Sequence, residues 1–105
     1  MNKSRSYEKN LREALIDPVE AAEYLKAALE DGDPGVFLLA LKDVAASNGG
    51  MAEVAKKAQL NRENLYRMLS ASGNPRINSL NTLLHALGMK LSIEVESGEK
   101  ASKVA

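Results

Sequence analysis

Residues 51–69, MAEVAKKAQLNRENLYRML, decide how the rest of this chain reads. Val54, Ala55 and Ala58 put small apolar groups on one face of a short first helix, and Leu60 plugs a turn. Leu65, Met68 and Leu69 face inward from a second helix that starts at Arg62, with Asn61 as its N-cap. Two helices that cross steeply after a turn of about three to four residues approach closely, and a bulky side chain at position 55 would hold them apart. The spacing predicts a helix-turn-helix. Left outside on the second helix are Arg62, Glu63, Tyr66, Arg67 and Ser70, side chains suited to the phosphates and base edges of a major groove. The competing reading is an ordinary helical hairpin with a solvated outer face.

Each of these residues has a bland alternative. Arg62 sits where a helix N-terminus meets the groove and can grip a guanine with two hydrogen bonds, or it can pair with Glu63 or Glu53. Tyr66 can touch a thymine methyl or a phosphate, or pack its ring over the motif. Asn64 lies toward the side of the helix and reads equally well as surface. Lys56 and Arg67 are candidates for phosphate contacts. Arg76, flanked by Asn74 and Asn78, precedes a later helix whose first N–H groups would complete a phosphate clamp; otherwise it is a loop arginine.

A chain of 105 residues is one domain. Its aromatics are Tyr7, Tyr24, Phe37 and Tyr66, so the core must come from Leu, Ala, Val, Ile and Met. The absence of cysteine excludes disulfides and thiolate metal sites and suits a reducing cytoplasm. No apolar run approaches the ~20 residues that span a bilayer, and the first 15 residues lack the apolar stretch of a secretory signal. A cytoplasmic protein with no membrane partner is expected. Formal charge is zero, yet unevenly spread. Residues 17–50 carry seven acids against two bases, and residues 51–90 carry six bases against two acids. An acidic half beside a basic half points to two partners or to one dipolar surface.

Outward from the motif, Asp17-Pro18-Val19-Glu20 reads as a helix start, with Asp17 as N-cap, Pro18 in the first turn and Glu20 reaching back as in a capping box. Val19, Ala22, Leu25, Ala28 and Leu29 follow at helical spacing until Asp31-Gly32. Asp33 and Pro34 repeat the device, and Phe37, Leu38, Leu41, Val44 and Ala45 form the stripe of a helix ending near Asn48-Gly49-Gly50. After the motif comes a polar loop, residues 70–75. Asn78 or Ser79 then caps a fifth helix carrying Leu80, Leu83, Leu84 and Leu87, closed by Gly88. Beyond Gly88 the period changes to two: Met89, Leu91, Ile93 and Val95 alternate with polar residues, the pattern of a strand with one buried face. No other segment offers a good partner strand, so Leu91, Ile93 and Val95 are expected to pair with the same strand of a second copy. The domains read as an N-terminal arm over residues 1–16, a helix-turn-helix domain with closing strand over 17–96, and a flexible tail over 97–105. The tail's lysines are too few and too mixed in charge for a nucleic-acid arm.

The fold class is therefore all-α: five helices plus a C-terminal β-strand that pairs across a dimer. This arrangement resembles the lambda-repressor-like class of DNA-binding domains. A narrower resemblance rests on Tyr7-Glu8-x-x-Leu11, on Leu15-Ile16-Asp17-Pro18 leading into Ala21-Ala22-Glu23-Tyr24-Leu25, and on Gly49-Gly50-Met51. It continues through residues 60–69, Gly73-Asn74-Pro75 and Leu87-Gly88-Met89-Lys90-Leu91. Together these segments resemble bacterial addiction-module antidotes, the antitoxins encoded beside toxins of the RelE/ParE type. The resemblance implies a protein that neutralises its toxin and represses its own operon by binding operator DNA. Such toxins are generally basic, so the acidic segment with Glu20 and Glu23, preceded by apolar Tyr7, Leu11 and Leu15, is the expected toxin contact.

Catalysis has no support. His85, the one histidine, lies on a Leu-rich helix without a second ligand or a local carboxylate. Ser70, Ser72 and Ser79 lack a His–Asp arrangement, so neither an enzyme, a metal nor a cofactor is expected. Two other functions compete with the operator-binding antitoxin. One is an inhibitor that uses the helix-turn-helix only as scaffold. The other is a free-standing repressor, weakened by the lack of an effector domain.

Overall fold

The computed structural model describes residues 3–70 and 72–96, with side chains described from residue 6 onward within that range. The proposed tail, residues 97–105, lies outside the described residues. Six helices follow one another: α1 (Lys3–Ala14), α2 (Pro18–Glu30), α3 (Pro34–Ser47), α4 (Met51–Ala58), α5 (Arg62–Met68) and α6 (Ile77–Ala86). The chain is all-helical, with no strand among the described residues. It has one helix more than the sequence reading gave, because most of the arm is α1. That helix packs on α3, with Leu11 half-buried against the core and Leu15, just past its end, inside it.

Helix starts follow the local chemistry. Asp17 Oδ1 accepts from the Val19 N–H at 3.0 Å, and Asp33 Oδ1 accepts from the Gly35 N–H at 2.9 Å, each with proline in the first turn. Glu20 takes no part in a capping box, because the Asp17 N–H it would receive already donates to the Ala14 carbonyl at 3.1 Å. At α6 the reading of Asn78 or Ser79 as cap is also corrected. The helix begins at Ile77 with Arg76 in the N-cap position and no side-chain cap.

α3 is the central element, packed by α1, α2 and α4, while α4 in turn carries α5 and α6. The core is aliphatic: Leu41, Val44, Val54, Leu65, Leu69 and Leu83 are its largest fully buried side chains. Tyr24, half-buried on α2, donates its hydroxyl to Asp43 Oδ2 on α3 at 2.6 Å and ties those two helices at their polar margin. Between α3 and α4 the chain turns through Gly49 and Gly50, at φ of 103° and 94°. L-residues reach that region at a cost, so the two glycines permit the abrupt reversal from the acidic half to the basic half.

Residues 89–96 have neither helix nor ladder. The backbone of residues 90–95 makes no backbone–backbone hydrogen bond among the described residues. The alternation that predicted a strand gives an unpaired segment within one chain, because a strand is defined by its partner.

Candidate nucleic-acid interface

α4 and α5 are joined by residues 59–61, and each residue of that turn has a separate task. Gln59 takes the left-handed conformation, φ 57°, at the end of α4. The Leu60 N–H then donates to the Ala55 carbonyl at 2.8 Å, which swings the half-buried Leu60 side chain onto the core. Asn61 caps α5, its Oδ1 accepting from the N–H groups of Glu63 at 2.8 Å and Asn64 at 3.2 Å. Ala55 is buried where α4 meets its neighbours, and Leu65 and Leu69 hold α5 to the core with no exposed surface to speak of.

The opposite face of α5 is open. Arg62, Glu63, Asn64 and Arg67 are exposed, and Tyr66 is 47% exposed. These side chains are ordered by one another. The Arg62 guanidinium lies 5.6 Å from the centroid of the Tyr66 ring, a cation–π contact one helical turn apart. Arg67 Nη1 donates to Asn64 Oδ1 at 3.2 Å, which brings Asn64, open in the sequence between a contact and plain surface, onto this face. Ser70, half-buried, donates its hydroxyl to the Arg67 carbonyl at 2.9 Å. Neither Glu63 nor Glu53 forms an ion pair with Arg62 among the described residues. Lys56 on α4 is exposed, as are Asn74 and Arg76 beside the uncapped start of α6. Gly73 fixes the loop between them and α5. A Cβ there would stand 2.8 Å from the Arg67 carbonyl oxygen and nearer still to that of Met68, a clash with backbone rather than with a flexible side chain.

The other proposed contacts divide. Glu20 and Glu23 are exposed on α2, and Tyr7 is 66% exposed on α1. Leu15, read as an apolar anchor for a partner, is corrected: at 2% exposure its side chain belongs to the core. The reason is its place just after α1, where the chain must turn over α3. Leu11 is shared between core and surface. Leu91, Ile93 and Val95 are 39%, 99% and 80% exposed, whereas Met89 at the start of the alternation is half-buried against the core. The Glu94 carboxylate lies 4.0 Å from the Lys26 ammonium of α2, a contact between distant positions that no spacing rule signals. His85 is exposed, no cluster of His, Cys, Asp or Glu suited to a metal occurs among the described residues, and none of the described helices is long and apolar enough to cross a membrane.

The described residues thus form a small helical core whose α5 turns a polar face, Arg62, Glu63, Asn64, Tyr66 and Arg67, to the outside. The comparisons with known proteins carry this further. A family model described as "Probable addiction module antidote protein" matches residues 7–95, and the chain belongs to that family. An uncharacterized protein of Haemophilus influenzae is 29% identical over 85 residues, covering 81% of this chain and 87% of its own. No solved structure matches the chain. The chain is thus a member of the addiction-module antidote family, a non-enzymatic class whose description implies a toxin as partner.

Proposed function

We propose that this antidote neutralises a toxin of the RelE/ParE type and, as a dimer in the cytoplasm, represses its own operon by laying α5 in the major groove of operator DNA. The observation that carries the reading is the outer face of α5. Arg62, Tyr66 and Arg67 lie exposed on a short helix whose start Asn61 fixes, Arg62 over the Tyr66 ring and Arg67 bonded to Asn64. Lys56 and Arg76 supply phosphate contacts to either side, with Asn74 and Ser70 at the margin and Glu63 a candidate for cytosine amino groups. Asn61 acts here as the cap that sets the helix rather than through its own base contact. The toxin takes the acidic surface of α2 around Glu20 and Glu23, with Tyr7 and the exposed part of Leu11. Leu91, Ile93 and Val95 pair the two copies, and the two α5 helices then reach successive major grooves about 34 Å apart.

The test is fluorescence anisotropy with the DNA that precedes the gene, titrated at several salt concentrations. Lys56, Arg67 and Arg76 of two copies neutralise about six phosphates, so log K should fall against log salt with a slope of roughly −5. Arg62→Ala should cost about 1–3 kcal/mol and relax preference at one base pair. A near-flat salt dependence, with affinity and sequence preference unchanged in the Arg62→Ala, Arg67→Ala double variant, replaces this reading with inhibition by protein contact alone. Because Leu15 is core, deleting the first 16 residues would confuse folding with binding. Glu20→Lys with Glu23→Lys, both exposed, is the cleaner probe of the toxin surface.

A further inference from the structure

We infer that the segment 89–95 pairs antiparallel with its counterpart in a second copy in one register, with the two-fold axis through Ser92. This rests on the dimer reading above and fixes what that reading leaves open. In a two-fold pair the residue numbers standing opposite one another have a constant sum. The apolar residues 89, 91, 93 and 95 are all odd, so only an even sum puts apolar opposite apolar on one face.

Charge then selects among the even registers. An axis through Lys90 or through Glu94 sets like charges directly opposite, which is destabilising. An axis through Leu91 faces Lys90 with Ser92 and leaves no opposite-charge pair. An axis through Ile93 matches Lys90 with Glu96 but sets Met89 beyond the last apolar position. The axis through Ser92 aligns the whole of 89–95 with itself. It places Leu91 opposite Ile93 twice, Met89 opposite Val95 twice, and Lys90 opposite Glu94 twice.

The structure has the groups ready for this. The backbone of residues 90–95 has unused donors and acceptors, Lys90 is exposed, and the Glu94 carboxylate is 72% exposed while it leans toward Lys26. In the paired state Glu94 stands between Lys26 of its own chain and Lys90 of the other. Gly88, just before the aligned stretch, lies against Pro18 at the start of α2, where a Cβ would stand 3.2 Å from the proline ring.

The chain contains no cysteine, so single cysteines report the register directly. Opposite residues have Cβ atoms about 4.5–5.5 Å apart, close to what a disulfide bridges, and diagonal neighbours about 7–8 Å. Ser92→Cys, Leu91→Cys and Ile93→Cys all change exposed positions. Each would be oxidised mildly at micromolar concentration, with sedimentation before oxidation and a melting curve to confirm folding. Ser92→Cys should cross-link to itself about tenfold faster than the other two. Fastest cross-linking at Ile93→Cys overturns the register while keeping the strand dimer. A dimer in which none of the three cross-links overturns the strand dimer itself, and a monomer before oxidation overturns both readings. Independently, Lys90→Glu should weaken dimerisation about tenfold and the added Glu94→Lys should restore it. Unchanged dimerisation in Lys90→Glu overturns the register.

Discussion

Replacing Asn61 by alanine removes the side-chain carboxamide whose oxygen caps the start of α5. The first four N–H groups of any helix lack partners within it. In this seven-residue helix two of them, from Glu63 and Asn64, share Asn61 Oδ1. The backbone bond from the Leu65 N–H to the Asn61 carbonyl, 3.0 Å, survives the substitution, so the loss is that of the side-chain cap alone. Caps of this kind are worth about 1 kcal/mol, within a range of roughly 0.5–2. For a domain of this size that lowers the melting temperature by about 4–8 °C. Circular dichroism melts and urea titrations of Asn61→Ala, Asn61→Asp and Asn61→Ser give the assay. The aspartate and serine variants keep an acceptor at the same place and should recover most of the loss. An alanine variant that melts with the wild type, or an aspartate variant no better than alanine, refutes the cap as the element that sets α5. The same three proteins separate folding from binding. Asn61→Asp should restore stability yet weaken DNA binding, because it adds a negative charge at the face offered to phosphates.

Three further outcomes are expected. Gln59→Gly should raise stability by about 1 kcal/mol in urea titration, since the left-handed conformation at φ 57° strains every residue with a Cβ. Gly73→Ala should lose about 2 kcal/mol or more in the same titration, because the new methyl meets the carbonyl oxygens of Arg67 and Met68 and neither can withdraw without disturbing the end of α5. Tyr24 gives a pH dependence. Burial, then the hydrogen bond to Asp43 and the charge of that carboxylate, with Tyr7 adding to them, push its phenol up to about 12 from the 10 of an unfolded chain. The stabilisation is fully present below pH 10 and is lost as pH rises through about 12, because the unfolded chain gives up this proton first. Tyr24→Phe should lower stability by about 1.5 kcal/mol near neutrality and flatten the melting temperature between pH 10 and 12.

The helices with capping chemistry and a regular apolar stripe were legible in the sequence. α2, α3 and the α4–α5 pair fall where Asp17, Asp33, Gly50 and Asn61 place them. α1 was not, because KSRSYEKNLREA offers only Tyr7 and Leu11 as large apolar residues, and its place is set by packing on α3 rather than by its own pattern. The start of α6 misled for the opposite reason. Asn78 and Ser79 look like caps, yet they sit inside the first turn, and the Asn78 carbonyl accepts from the Thr82 hydroxyl at 2.9 Å. On the candidate face, exposure of Arg62, Tyr66 and Arg67 followed from helical spacing alone. The Arg67–Asn64 bond and the Arg62–Tyr66 stack depend on rotamers, which no spacing rule supplies. Gln59 was unreadable as a left-handed residue because glycine and asparagine are the usual occupants of that position. The alternation at 89–95 reads as a strand, yet the described residues form none there, because a ladder needs a second strand and the chain offers it none.

The chain reversal at Gly49-Gly50 also divides the molecule electrically. Residues on the α2–α3 side of it carry net negative charge, residues from α4 through Lys90 net positive, and the formal total is zero. Toward a distant polyanion such a molecule is a dipole without a monopole. Its attraction decays faster than that of a basic protein, and at physiological ionic strength salt screens it beyond about 8 Å. What survives at short range is a torque that turns the basic end toward the polyanion and the acidic end away. Encounters with stray nucleic acid are therefore brief, and those that last begin already oriented, with the surface of α2 facing solvent.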